Sequence, residues 1–448
     1  MHRRHLAGKA LTVVLATVIL ATLAGMGIVS AADPPEVISK SSQDFITIPN
    51  DPDPSPLLTL RLPKGRWVVW VVVRYGVFDS VIAAAATCWT TIENPGELDR
   101  HTVRAKTFVN GLTSEVQTNL AMSVAANVTN SRGGRVIVRC RSYGTLIVSR
   151  DVRIIAMRAG RLTTISPSGT TSSGTGAPHV IQLRQTASVP LPVTDGTQTV
   201  ASIDLSKGGW WIRAHVSLQT FHDPSDLDFA DWRCRLVLGS AVDRTDGQLL
   251  DAGLEDDRYV VTMEVAAWIP NADSARLRCG ADKSASDPRL RDVRITAIPA
   301  GSLSLGDGTE GGTWTSTGTG VPKIIHASLG QTDPISSHVA WVPVARVPLP
   351  HGTWLMTAKF RHGYGGSRAA TPSGDYDNIG LYCRLRQEDG ISPVTATTMA
   401  EDNAIPLHLV ATVDRRRGTL WLECKWAADV GYVARLERVR ITAVRVRS

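Results

Sequence analysis

Beyond residue 29 the sequence has no apolar run long enough to span a bilayer, which excludes a protein built from several membrane helices. It also has no Gly-x-Ser-x-Gly, no P-loop, no His-Glu-x-x-His, and no dinucleotide fingerprint set between a strand and a helix. The common serine-hydrolase, nucleotide and zinc-protease signatures are therefore missing. Helical stripes of apolar residues are absent as well, which argues against an α-rich fold. Phenylalanine is scarce, at six residues against twelve tryptophans, so tryptophan supplies much of the large aromatic packing surface. Disorder is excluded, because 43% of the chain is hydrophobic and only 20% charged.

The N-terminus reads as an export signal. His2, Arg3, Arg4 and Lys9 form a basic start, and residues 11–29 are apolar and uncharged. The small residues of "VSAAD" offer cleavage after Ala31 or Ala32. The apolar run is long for a signal peptide, so a retained membrane anchor is the alternative. Both outcomes put the remainder outside the cytoplasm, extracellular or at the cell surface. The formal charge is +7; Arg3, Arg4 and Lys9 account for three of these, leaving +4 for the exported chain. The "RRR" at 415–417 and the tail "RVRITAVRVRS" read as one turn and solvated strand faces. Nucleic acid is not an expected partner.

The 448 residues carry three copies of one unit. "PEVI" starts at Pro35, "PHVI" at Pro178 and "PKII" at Pro322, and Trp67, Trp210 and Trp354 follow 32 residues later in each copy. Those tryptophans sit in "LPKGRW", "LSKGGW" and "LPHGTW". A cysteine follows in mid-unit, a second comes later, and each copy closes on "VRIIAM", "VRITAI" or "VRITAV". The expected organisation is a signal peptide over 1–31 and repeats over 35–160, 178–300 and 322–448. The segments between them, 161–177 and 301–321, are dominated by Gly, Ser and Thr and read as flexible linkers.

Inside a repeat the hydrophobic period is two. Trp210, Ile212, Ala214, Val216 and Leu218 alternate with Trp211, Arg213, His215 and Ser217. That is the pattern of a half-buried strand. Glycine in each "KG" or "HG" pair suits a turn with positive φ, after which the tryptophan enters the core. The predicted fold is all-β: three tandem antiparallel β-sandwiches of jelly-roll type.

Six cysteines allow fifteen pairings. The repeat selects Cys88–Cys140, Cys234–Cys279 and Cys383–Cys424, one staple per unit, and export favours their oxidation. Metal ligation by these cysteines is not expected, because no matched histidines accompany them. The acidic loop 222–231 precedes Cys234, and "SGDYDN" precedes Cys383. Asp226 and Asp375 each lie eight residues before their cysteine, with Asp228 and Asp377 two further on. These carboxylates are the candidate Ca²⁺ ligands; a solvated loop is the plainer reading. No other cofactor is implied. His215, on an outward strand position, and His222, in the acidic loop, read as surface residues. Trp89, Trp268, Trp421 and Trp426 do not occupy equivalent places in the repeats, and packing or sugar stacking are both open to them. Asn127-Val128-Thr129 is a glycosylation sequon.

The turn-then-Trp motif, the mid-unit "CRL", the later "RLRC" and the closing "VRITAI" resemble the jelly-roll repeats of secreted actinobacterial proteins. These are similar in layout to the globular heads of complement and tumour-necrosis-factor-like domains. The resemblance implies a two-sheet jelly roll used as a trimeric adhesion or recognition module, and it carries over no catalytic residue. In the first repeat Val68, Trp70 and Val72 oppose Trp67, Val69 and Val71, so this strand is apolar on both faces. Trp211 is placed outward in the second. These four residues are the candidate interface. An internal pseudo-trimer within one monomeric chain, beads on a string and assembly between chains are the arrangements weighed. The functional expectation is a non-catalytic structural or interaction protein. Its partner is an unidentified protein or cell-surface polymer. A carbohydrate-binding module is the alternative, and an extracellular hydrolase the weaker one.

Overall fold

The computed structural model describes residues 33–447 apart from 52, 78–83, 95–96, 108–115, 144–146, 192, 194–195, 220–229, 250–257, 282–287, 334, 336–339, 365–379, 388–389, 392–394, 399–406, 416–417 and 428–433. The expected signal peptide lies outside the described residues. Within these residues every helix or strand is a β-strand, and no helix is long and apolar enough to cross a membrane.

Each repeat folds as two antiparallel sheets. In the middle repeat the eight main strands are His179–Gln185, Gln198–Leu205, Gly208–Gln219, Ala230–Leu238, Ala241–Leu249, Arg258–Ile269, Asp273–Ala281 and Arg289–Ala300. Counted first to eighth, they form an inner sheet ordered first, eighth, third, sixth and an outer sheet ordered second, seventh, fourth, fifth. That is jelly-roll order, in which both sheets draw strands from the whole length of the repeat. The first repeat has the same inner sheet from Val37–Ser42, Ile147–Ala159, Gly65–Val77 and Val116–Val128. Its outer sheet is built from Leu58–Leu62, Gly134–Tyr143, Ala84–Asn94 and Glu97–Thr107. The third repeat uses Lys323–Gln331, Ala434–Val446, Gly352–Tyr364 and Leu407–Arg415 for the inner sheet. Its outer sheet is Val342–Leu349, Gly418–Ala427 and Gly380–Gln387, with a fifth strand broken into Gly390–Ile391 and Thr395–Thr398.

Each sandwich closes on its own apolar core. Trp210, Ile212, Ala214, Val216 and Leu218 fill the middle one, and Trp67 and Trp354 take the equivalent place in the others. The turn before each tryptophan explains the triplicated motif. Gly65, Gly208 and Gly352 hold φ of 149°, 141° and 140°, values that side chains with a Cβ rarely adopt. The chain then turns the tryptophan inward. Each indole Nε1 donates to the carbonyl four residues earlier: Pro63 at 2.9 Å, Ser206 at 2.8 Å and Pro350 at 3.0 Å. The ring is buried with its one polar atom satisfied.

The disulfides are Cys88–Cys140, Cys234–Cys279 and Cys383–Cys424. Each joins the fourth strand to the seventh at directly opposed positions of the outer sheet. They close separations of 52, 45 and 41 residues, for which loop entropy alone stabilises by about 4 kcal/mol each.

The Gly/Ser/Thr stretches depart from the flexible-linker expectation. Arg161–Ser166 pairs in parallel with the first strand of the middle repeat and forms a hairpin with Gly169–Ser173. Ser302–Gly306 does the same beside the first strand of the third repeat, with Trp314–Gly318 as its hairpin partner. Two physical causes order them. Leu162 and Leu303 are buried as anchors, and threonine suits an extended strand. The returning chain also passes so closely that a Cβ on Gly301 would lie 2.3 Å from the Gly320 carbonyl carbon. The junction then closes on itself. Gly160 N–H donates to Pro178 O at 3.1 Å and Gly301 N–H to Pro322 O at 3.0 Å. At the equivalent third place, Arg447 N–H donates to Pro35 O at 2.9 Å. The end of the last repeat is thus hydrogen-bonded to the start of the first.

Gly208 isolates the turn requirement, because nothing lies within 4 Å of where its Cβ would be. Gly208→Ala is expected to destabilise by about 1–3 kcal/mol through backbone strain alone. Chemical denaturation of the full chain measures this, and an unchanged midpoint would remove the turn from the account.

Candidate functional site

The inner sheets present their second faces to one another. A fourth apolar cluster, separate from the three sandwich cores, takes residues from every repeat. Val68, Trp70 and Val72 come from the third strand of the first repeat, Trp211 from that of the second and Leu355 from that of the third. Met157, Ile298 and Val444 supply the equivalent eighth-strand positions. Trp70 and Trp211 stack across repeats with centroids 5.9 Å apart and 26° between planes. The four residues expected at an interface thus share one cluster. Strand alternation forces this outcome: once one face of a strand fills the sandwich, apolar residues on the other face need a second partner.

Beside this cluster the junction turns polar. On the middle repeat Glu264, opposite Arg213 in register, is buried and faces three side chains of the third repeat. Thr357 Oγ1 donates to its Oε2 at 3.2 Å, Thr442 Oγ1 donates to Oε1, and His326 Nδ1 lies 3.9 Å from Oε1. His326 Nδ1 also sits 2.7 Å from Thr442 Oγ1, so with its hydrogen on Nδ1 the chain imidazole–hydroxyl–carboxylate is continuous. Next to it Lys359 Nζ lies 2.5 Å from Asp243 Oδ2 and 3.2 Å from Thr245 Oγ1. Asp243 accepts the Glu264 backbone N–H at 2.8 Å as well. The second and third repeats are therefore tied by two buried carboxylates of one and by threonine, histidine and lysine donors of the other.

Three closing-strand arginines belong to this junction rather than to solvent. Arg153, Arg294 and Arg440 are all buried; in the tail, where solvated strand faces are expected, Arg440 departs from that while Arg447 is exposed. Arg153 grips Asp151 with Nε and Nη2, at 3.0 and 2.7 Å from Oδ2, and donates Nη1 to Val410 O of the third repeat at 3.4 Å. Arg440 Nη2 donates to Val242 O of the second at 3.3 Å. His215, expected at the surface, is buried too. The reason is shared: these residues do point away from their own sandwich, but that face is covered by a neighbouring repeat.

Burial sets the protonation states. It pushes Glu264 above the ordinary carboxylate range, opposed by Arg213 and by the Thr442 hydrogen bond. It pushes Lys359 down, opposed by Asp243. His215 falls to about 3 through burial and then the charges of Arg294 and Arg213. His326 falls to about 3 through burial and Arg440. Both imidazoles are neutral in the folded chain.

Other expected site residues distribute as follows. Asp226, Asp228, Asp375 and Asp377, the calcium candidates, lie outside the described residues, as does His222. Among the described residues no group of three His, Cys, Asp or Glu side chains is placed to hold a metal ion. Trp268 packs against the central cluster, and Trp89 is half-buried opposite Arg139 on the first outer sheet. Trp426 is in a strand, but its side chain lies outside the description. Trp421 is half-buried on the third outer sheet with the Arg346 guanidinium 5.6 Å from its ring centroid. Close by is Trp341, which the sequence did not single out. Arg384 lies 4.1 Å over its ring and Lys425 5.2 Å away.

Two measurements follow from the junction. Lys359→Met alone is expected to cost about 3–5 kcal/mol, because it leaves Asp243 buried without its ammonium. Adding Asp243→Asn should recover part of that loss; strict additivity in a double-mutant cycle would show that the two groups do not interact. The second measurement concerns acid. Unfolded histidine titrates near 6.5, so unfolding takes up protons between about pH 3 and pH 6.5. The histidine contribution to stability is complete above that window and is lost as pH falls through it. Glu264 works in the opposite sense, since its raised value favours folding at low pH and that contribution is lost as pH rises. Melting temperature is expected to drop from about pH 7 to about pH 4.5 in the parent and to drop less in His215→Gln/His326→Gln.

No protein-family model and no curated protein sequence matches the chain. Among solved structures it is similar to the triple jelly-roll protein of an archaeal virus turret, at 9% identity and a TM-score of 0.18, covering 93% of this chain and 91% of that one. It is also similar to the tandem CBM22-1–CBM22-2 domain of Paenibacillus barcinonensis Xyn10C, at 8% identity and 0.17, over 58% and 90%. A third similarity is to PNGF-II, at 7% identity and 0.25, over 85% and 100%. Values this low support no inference about activity or ligand. The jelly-roll architecture itself stands on the strand order.

Proposed function

We propose that the chain is an exported, non-catalytic structural or interaction protein in which three jelly-roll repeats do within one chain what three subunits do in trimeric adhesion modules. The narrower likeness to tumour-necrosis-factor-like and complement-head domains belongs to this reading. Export rests on the N-terminal pattern, and the three disulfides agree with an oxidising environment.

The observation that carries the reading is where the reactive groups are. Glu264, Asp243, Lys359, His215 and His326 are all buried, and Glu264 and Asp243 of one repeat meet His326 and Lys359 of the next. A general acid or base has to reach its substrate within hydrogen-bonding distance. Groups buried at a junction hold subunit-like pieces together instead. The surface left for function is the outer sheets. Sugar binding is the second reading, favoured by the half-exposed Trp341 and Trp421 on the third outer sheet.

The exported chain is expected to bind cells or isolated envelope material saturably, and to run as a monomer, while turning over neither glycan nor ester substrates. Turnover that disappears on replacing one exposed carboxylate would overturn the reading. Absence of any saturable surface binding would do so equally.

A further inference from the structure

The outer sheet of the third repeat carries a cation–aromatic surface. In one cross-strand row Arg346, Trp421 and Arg386 stand side by side on three adjacent strands. In the next row Arg384 opposes Glu423, and beyond it Tyr382 opposes Lys425. Trp341, just before the second strand, lies under Arg384. Lys425 Nζ approaches both Trp341, at 5.2 Å, and Tyr382, at 5.6 Å. Among the described residues four cations and three aromatic rings thus share a face, with Glu423 as the acid between the rows and Asp307 near Arg346 at the edge.

The first of these acids is already used. Glu423 is buried and accepts from Arg384 Nε at 2.9 Å and from Arg386 Nη1 at 2.9 Å. It fixes two guanidinium groups rather than neutralising the face, and the Arg386 side chain stays 47% exposed. The equivalent positions in the other repeats show that the set is dispensable for folding. Trp421 corresponds to Ile137 and Arg276, Tyr382 to Thr87 and Arg233, and Arg386 to Thr91 and Val237. Three sandwiches with the same strand order thus fold with different residues at these places on the outer face.

We propose that this face binds an acidic, carboxylate-bearing polysaccharide. The inference rests on the interaction-protein reading above and names a ligand class for it. Aromatic rings offer apolar faces to sugar rings, while arginine forks match carboxylates in a planar, bidentate fashion. Neighbouring strands are about 4.8 Å apart, so the Arg346–Trp421–Arg386 row covers about 10 Å of the sheet, closed at its Arg346 end by the Nε bond to Thr309 O at 3.0 Å. A row of this length, continued by Arg384, Trp341, Tyr382 and Lys425, suits a linear polymer better than a single small anion. Single-stranded nucleic acid would use similar chemistry, but disulfides point to a compartment where it is not the prevalent polyanion.

Calorimetric titration of the full exported chain with polygalacturonate tests the proposal, with dextran and single-stranded DNA as comparators. Saturable binding to polygalacturonate that weakens with added salt is expected, with none to dextran. Trp421→Ala and Lys425→Ala should each reduce affinity about tenfold, the loss expected for one charge-assisted or stacking contact. Arg276→Ala removes a cation at the equivalent place of the middle repeat and should change nothing. Melting curves of all three variants establish that they fold. Equal binding to dextran, tighter binding to DNA, equal losses in Arg276→Ala, or no binding to polygalacturonate would each overturn it. The last of these leaves the broader reading standing if the same preparation still binds cells.

Discussion

The molecule depends on one packing event, the meeting of three inner sheets over a shared apolar cluster. Without it Trp70, Trp211, Leu355 and Val444 would face water. Their burial recovers roughly 25 cal/mol for each Å² of apolar surface removed from solvent. It also creates the dry surroundings in which Lys359 pairs with Asp243 and Thr357 donates to Glu264. The polar half is costly to desolvate and stabilises only because its members satisfy one another across the boundary. The apolar half supplies the drive, and the polar half supplies register between the second and third repeats.

Registration of this kind explains why the repeats differ where they meet and agree where they are filled. Core positions in the three sandwiches are near copies: Trp67, Trp210 and Trp354, or Ile154, Ile295 and Ile441. Junction positions are not. Trp70, Arg213 and Thr357 are equivalent by count from those tryptophans, yet one stacks on a neighbour, one opposes Glu264 and one donates to Glu264. A sandwich core repeats because its neighbours repeat. A junction position meets a different partner in each pair of repeats.

Much of this was legible in the sequence. Period-two alternation and the triplicated turn-then-Trp motif gave the all-β class, and the repeat alone chose the cysteine pairs. Val68, Trp70 and Val72 announced a second buried face because hydrophobicity on both sides of a strand needs two covers. The charged half of that face was not legible. Arg294, His215 and Glu264 alternate as solvent-facing residues do, and alternation reports direction relative to one sheet, not what lies beyond it. The linkers are illegible for a related reason: Gly, Ser and Thr composition points to flexibility, while the burial of single residues such as Leu162 depends on a neighbouring repeat. Trp341 carries no local signal, because its contacts, Arg384 and Lys425, lie more than forty residues away in sequence.

The hydrogen bond from Arg447 to Pro35 completes a circle made from a single polypeptide. In an assembly of identical subunits, every change to the exterior appears three times, and harmful ones are tripled with the useful. Here one gene spells each sector separately. One sector can drift toward a new ligand while its two siblings keep the whole intact, a freedom that threefold symmetry denies.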